Sequence, residues 1–93
     1  MHVTVTAKMW QWTLSRMEIP RGATVDFAVD SDDVNHGFGI YSPSGRLVAQ
    51  VQAMPGFTNH LVLTFSQPGQ YLVRCLEYCG IPHIGMATAF EVR

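Results

Sequence analysis

Electron-pair donors suited to metal binding are concentrated near the C-terminal end of the chain. Residues 75–86 read CLEYCGIPHIGM, so that two cysteines, a histidine and a methionine follow one another in the spacing C-x-x-x-C-x-x-x-H-x-x-M. Thiolates, imidazoles and thioethers together suit copper better than other common metals. The segment therefore indicates a metal site and favours copper as its occupant.

Three alternatives each account for part of this segment. A disulfide between Cys75 and Cys79 leaves His83 and Met86 without a role. A zinc site built from two cysteines and two histidines has no use for Met86. A mononuclear blue copper site needs one cysteine, two histidines and an axial methionine, which leaves the second cysteine without a role. Each of these alternatives uses fewer donors than the segment offers.

A complete ligand set needs a donor from elsewhere in the chain, and the other histidines are His2, His36 and His60. His36 is the best candidate, because the segment DDVNHGFGI places it at the predicted start of a strand, after an acidic turn. His2 lies at a terminus, and His60 is predicted to point outward from a strand. Two thiolates within reach of two imidazoles can bridge two copper ions, and this arrangement uses every donor.

Composition limits the class of protein that can carry such a site. We expect one domain over residues 1–93, since this length suffices for one modest core. With 47% hydrophobic and 14% charged residues the chain is globular, and its net charge of −1 argues against a nucleic-acid partner. No apolar run approaches the ~20 residues of a membrane helix. The chain as given is therefore expected to be soluble.

Short alternating segments separated by turn residues predict an all-β fold. Apolar and polar residues alternate over residues 2–8, 23–30, 60–65 and 70–75, which is the pattern of half-buried strands. The turn sequences PRG, SPSG, MPG and QPG separate these segments. Seven to eight such strands predict an antiparallel Greek-key β-sandwich. In a sandwich of this kind the connecting loops are available to carry the donors of residues 75–86.

The segment 75–86 resembles the copper loop of the binuclear copper A (CuA) domain of cytochrome c oxidase subunit II, which reads C-x-E-x-C-G-x-x-H-x-x-M. The resemblance covers nearly the whole chain. DVNHGF at 33–38 is similar to the segment that supplies the first histidine of that family, and PGFTN at 55–59 is similar to one of its turns. WQW at 10–12 matches its aromatic stretch, with Met9 in place of a glutamine. The resemblance implies a cupredoxin-like sandwich.

The resemblance also implies a role for each matching residue. The ligands of two copper ions would be the bridging thiolates of Cys75 and Cys79, one imidazole each from His36 and His83, the thioether of Met86 and the main-chain oxygen of Glu77. Trp10 matches the tryptophan through which an electron enters, and Trp12 is the second choice. The Glu77 side chain would bind magnesium only in an intact oxidase.

In such a family the chain would carry electrons and would not be catalytic alone. The implied partners are cytochrome c or a similar donor, and oxidase subunit I as the acceptor. Any membrane contact would come through segments outside this chain or through partner subunits. The implied location is the periplasm or the outer face of the plasma membrane of a bacterium or archaeon. The alternatives are the electron-accepting domain of a nitrous or nitric oxide reductase, and a copper-carrying protein.

Two further groups of residues have simpler interpretations. Trp10 and Trp12 are two residues apart, which predicts that they share one side of a strand, where core packing would account for them as well as electron transfer does. Asp30, Asp32 and Asp33 are interpreted as a solvated acidic turn, which could also attract a basic donor.

Overall fold

The computed structural model of the chain describes residues 1–76 and 86–93. Within these two ranges the chain forms nine β-strands and no helix, and so contains no helical segment long and apolar enough to cross a membrane. The strands are β1 (His2–Lys8), β2 (Gln11–Leu14), β3 (Glu18–Ile19), β4 (Thr24–Ser31), β5 (His36–Tyr41), β6 (Leu47–Ala53), β7 (Asn59–Thr64), β8 (Gly69–Cys75) and β9 (Ala87–Val92).

The strands form two sheets that pack face to face. One sheet has the order β2-β1-β4-β7 and the other has the order β3-β9-β8-β5-β6. Most neighbouring strands are antiparallel, whereas β1 pairs with β4, and β3 with β9, in parallel. The predicted all-β sandwich is confirmed. The structure adds short elements such as the two-residue β3, which is too short to show an alternating pattern in the sequence.

The core is built from the inward-facing residues of both sheets. Val3 and Val5 of β1 and Val25, Phe27 and Val29 of β4 are completely buried, as their alternation with polar residues predicts. Burying each of these side chains contributes about 1.5–3 kcal/mol relative to leaving it exposed. In β1 and β4, alternation thus indicates which face of the strand turns inward.

The register between β5 and β8 brings two predicted ligands to one end of the sandwich. These strands are antiparallel neighbours, and Phe38 lies opposite Cys75. Since side chains alternate along a strand, His36 points to the same inner face as Phe38. β8 also pairs with β9, which begins one residue after Met86. The end of β8, the start of β5 and the approach to β9 therefore meet.

Candidate metal centre

Three of the six predicted copper ligands lie in the described part of the chain, and they are close together. The Cys75 sulfur lies 3.9 Å from Nδ1 of His36. The Cys75 N–H donates a hydrogen bond to the main-chain oxygen of Met86 at 3.3 Å. The predicted ligands Glu77, Cys79 and His83 lie outside the described residues.

All three of these residues are shielded from water. His36 is completely buried, and Met86 and Cys75 are 1% and 7% exposed. A buried histidine needs hydrogen-bonding partners, because an unpaired polar group in the interior costs about 1–3 kcal/mol. Its partners therefore determine what each ring nitrogen can do.

The His36 ring is oriented by Asp33. Nε2 of His36 lies 2.8 Å from Oδ1 of Asp33. An ionised carboxylate can only accept a hydrogen bond, so Nε2 carries the proton and donates it. In a neutral imidazole the lone pair is then on Nδ1, which faces the Cys75 sulfur. This tautomer leaves Nδ1 available to bind a metal ion, and a hydrogen bond from the other ring nitrogen to a carboxylate is common in metal sites.

The environment of Asp33 keeps its carboxylate charged. Burial raises its pKa, but hydrogen bonds from the N–H of Met9, from His36 and from the N–H of Val34 outweigh that effect and lower the pKa from 3.8 to about 2. The Met9 and Val34 bonds are short, at 2.7 and 2.6 Å. Asp33 is therefore an acceptor at any physiological pH.

Asp33 lies in a turn, as predicted, but its side chain is held by hydrogen bonds and is not merely solvated, and Asp30 lies within β4 and not in the turn. The Asp33 side chain is hydrogen-bonded to four groups, on Met9, Ser31, Val34 and His36, whereas Asp32 beside it is exposed. The sequence does contain a signal for the contact with His36. Asp33 precedes His36 by three residues within DVNH, which is close enough for the carboxylate to accept a hydrogen bond from the imidazole.

The two tryptophans have different environments, so the expectation that they share one side of a strand is also wrong. Trp10 lies in the turn before β2, which begins at Gln11, and it is 41% exposed. Trp12 is 7% exposed, and its indole N–H donates to the main-chain oxygen of Met86 at 3.3 Å. Its ring lies edge-on to His36, with centroids 6.2 Å apart. Trp12 thus forms a wall of the site, and Trp10 lies at the surface.

The other histidines of the described chain lie elsewhere. His2 and His60 flank Asp26 on the outer face of the four-stranded sheet, with Nδ1 atoms 3.5 and 3.0 Å from its carboxylate oxygens. Both side chains are largely exposed. His36 is therefore the histidine that the fold brings to Cys75.

The described residues fit part of a copper site. Bond lengths of about 2.0 Å to an imidazole nitrogen and about 2.3 Å to a thiolate, as found in zinc sites, allow an ion to lie between donors 3.9 Å apart. Sulfur and imidazole donors in a dry pocket also suit copper. Within residues 1–76 and 86–93, no group of three or more His, Cys, Asp and Glu side chains could hold a metal ion. A full site would need donors beyond these.

Comparison with known proteins places the chain in a family. The family model described as "Cytochrome C oxidase subunit II, periplasmic domain" matches residues 2–92. Cytochrome c oxidase subunit 2 of Thermus thermophilus is 33% identical over 91 residues, which are 98% of this chain and 64% of that protein. The chain thus spans less than two thirds of the length of this relative.

Solved structures have the same fold. A haem–copper terminal oxidase dimer contains a chain that superposes with a TM-score of 0.85 at 32% identity, over 99% of this chain and 63% of that chain. The periplasmic domain of subunit II of cytochrome oxidase from Bradyrhizobium japonicum also gives a TM-score of 0.85, at 22% identity over 99% of this chain and 83% of that chain. From its sequence and its fold, the chain belongs to the family of the periplasmic domain of cytochrome c oxidase subunit II.

Proposed function

We propose that this chain is an electron-transfer domain that holds a binuclear copper centre in a terminal haem–copper oxidase. It would accept electrons from a donor such as cytochrome c and pass them to the haem centres of the oxidase. The observation that carries the proposal is the pairing of a buried, correctly oriented imidazole with a thiol: His36 Nδ1 faces the Cys75 sulfur at 3.9 Å. Family membership supports the assignment to an oxidase.

The proposed ligand set extends this pair with donors from the loop. Its members are the bridging thiolates of Cys75 and Cys79, the imidazoles of His36 and His83, the thioether of Met86 and the main-chain oxygen of Glu77. Bound to these groups, a copper pair would act as a one-electron carrier. A soft, two-thiolate site is the donor chemistry that such a pair needs.

The fold holds the proposed ligands in fixed positions and shields them from water. His36 and Cys75 lie on hydrogen-bonded neighbouring strands, so that their separation is set by the sheet. The Trp12 indole and the Cys75 N–H both donate to the Met86 carbonyl, which holds the main chain of the residue that would supply the third donor. Donors held in this way need little rearrangement when the charge of the site changes, and the apolar surroundings limit access of water. Both properties favour electron transfer over metal delivery, which requires access.

Partners and location follow from the same proposal. The donor would dock from the outer side of the membrane, and oxidase subunit I would be the acceptor. The family description as a periplasmic domain supports a location in the periplasm or at the outer face of a bacterial or archaeal plasma membrane. In an intact oxidase, the Glu77 side chain would bind magnesium at the contact with subunit I. We further propose that residues 1–93 form one domain.

Copper addition to the purified apoprotein tests the proposal. We expect two copper ions per chain, a purple oxidised protein, and a paramagnetic resonance spectrum of one electron shared by two copper nuclei. Metal analysis and spectroscopy on the same sample give both results. One copper per chain, or a preference for a single zinc ion, would exclude a binuclear centre. Rapid transfer of the bound copper to a chelator would instead favour a copper-carrying protein.

The thioether of Met86 is expected to tune the centre without anchoring it. Met86→Leu should still bind two copper ions but should change the reduction potential, because a weak axial ligand sets the potential more than the affinity. The exchange conserves volume, so the free energy of unfolding should fall by less than about 1.5 kcal/mol. Met17→Leu is the matched control, since Met17 is exposed. Loss of copper from Met86→Leu would show that Met86 is a strong ligand.

A further inference from the structure

Asp33 contacts two separate parts of the molecule with its two carboxylate oxygens. Oδ1 accepts a hydrogen bond from Nε2 of His36 at 2.8 Å. Oδ2 accepts a hydrogen bond from the Met9 N–H at 2.7 Å. Met9 lies in the turn between β1 and β2 and directly precedes the exposed Trp10. One side chain therefore joins the buried imidazole to the surface turn that carries Trp10.

We propose that Asp33 is a positioning residue that couples the Met9–Trp10 turn to His36. On one side it fixes the tautomer and orientation of the imidazole, so that Nδ1 faces Cys75. On the other side it fixes the Met9–Trp10 turn relative to the same imidazole. The importance of this coupling for electron transfer rests on the proposed function, whereas the coupling itself is a property of the protein without metal.

The turn around Asp33 is itself held in place. The Asp33 N–H donates to Oγ of Ser31 at 3.2 Å, and the Val34 N–H donates back to the Asp33 carboxylate. The Asp32 N–H donates to the main-chain oxygen of Ala7, near the end of β1. These bonds anchor the turn between β4 and β5 to the strand that leads into the Met9–Trp10 turn. The carboxylate thus has a fixed position from which to orient both of its partners.

Replacing Asp33 with asparagine distinguishes a role in coupling His36 to the Met9–Trp10 turn from a role only in the turn around Asp33. The two groups that Asp33 couples, the Met9 N–H and the His36 Nε2–H, are both donors and contact different carboxylate oxygens. A carboxylate offers an acceptor oxygen to each, but an asparagine side chain of the same shape offers only one acceptor oxygen. Asp33→Asn can therefore satisfy one partner and not both, and Asp33→Ala satisfies neither. Asp32→Asn makes the same change of charge at the neighbouring exposed residue and is the matched control.

The copper-free protein provides the first measurement. Nitrogen NMR of the His36 ring should show that the Nε2–H tautomer is in large excess in the wild type. Loss of a hydrogen bond to a charged acceptor in Asp33→Ala should reduce that excess by at least about tenfold and accelerate exchange of the Met9 amide by a similar factor. Asp33→Asn should disturb one of the two signals, and Asp32→Asn neither. Circular dichroism confirms that each variant is folded.

The copper-loaded protein provides the second measurement. Asp33→Asn should shift the reduction potential or slow reduction by a donor, according to which contact is lost, while Asp32→Asn leaves the potential unchanged. If both Asp33 variants retain the wild-type tautomer and Met9 protection, the inference is overturned. If the tautomer and Met9 protection depend on Asp33 but the wild type never binds two copper ions, the proposed function fails and the coupling stands.

Discussion

Replacing either Cys75 or Cys79 with serine is expected to eliminate the shared-electron copper spectrum, and the copper content should fall from two ions per chain to one or none. A serine hydroxyl is a hard ligand that stays protonated at neutral pH, whereas a cysteine thiolate is soft and can bridge two ions. With one bridge removed, the remaining thiolate cannot hold two copper ions equivalently. Copper analysis together with paramagnetic resonance measures both effects.

The fold should survive these substitutions, which separates a ligand role from a structural one. Cys75 ends β8, and its sulfur faces Nδ1 of His36 at 3.9 Å. A serine hydroxyl there can donate to the same nitrogen, so the loss in unfolding free energy should lie in the ordinary range of about 0.5–3 kcal/mol. Denaturant unfolding of the copper-free variants measures that loss. A Cys75→Ser protein that keeps both copper ions and the shared electron would contradict the proposed bridging role.

The fold could be predicted where strands are half-buried. The sequence pattern of β1 and β4 alternates because one face of each strand packs against the opposite sheet, and the predicted limits agree with the observed strands within a residue. β6 was not predicted, because it lies at the edge of its sheet and exposes Leu47 and Val48, so that apolar residues do not mark an inner face. β3 was not predicted because a strand of two residues is too short to show an alternation of apolar and polar side chains.

The sequence predicts which side chains could bind a metal ion, but not how they are arranged in space. His36 was selected from its place at the start of a strand after a turn, and the structure does put it beside Cys75. The contact between Asp33 and the Met9 N–H joins residues 24 positions apart. This contact depends on the relative positions of the ends of β1 and β4. Residue spacing in the sequence does not predict those positions. The different environments of Trp10 and Trp12 arise from the same turn.

The environments of the tryptophans make them a matched pair for testing how electrons arrive. Trp12 is buried and donates to the Met86 carbonyl, so Trp12→Phe removes a hydrogen bond and packing and should lower the free energy of unfolding by about 1–3 kcal/mol. Trp10 is exposed in the turn that Asp33 anchors. Its replacement should change stability by no more than about 0.5 kcal/mol, as for most surface substitutions.

Trp10→Phe is therefore expected to affect the rate of electron arrival without affecting the centre. Met9, Trp10 and Val34 are each 41% exposed, and the N–H groups of Met9 and Val34 donate to the Asp33 carboxylate that also binds His36. We expect a donor to dock against these exposed apolar side chains. We expect copper content, spectrum and reduction potential to match the wild type, and reduction by a cytochrome c to slow by more than an order of magnitude. Stopped-flow reduction of the copper-loaded proteins, with Trp12→Phe alongside, measures the difference. If Trp10→Phe reduces at the wild-type rate and Trp12→Phe is slowed, the electron passes through Trp12 and not Trp10. If neither variant is slowed, the electron enters through neither tryptophan.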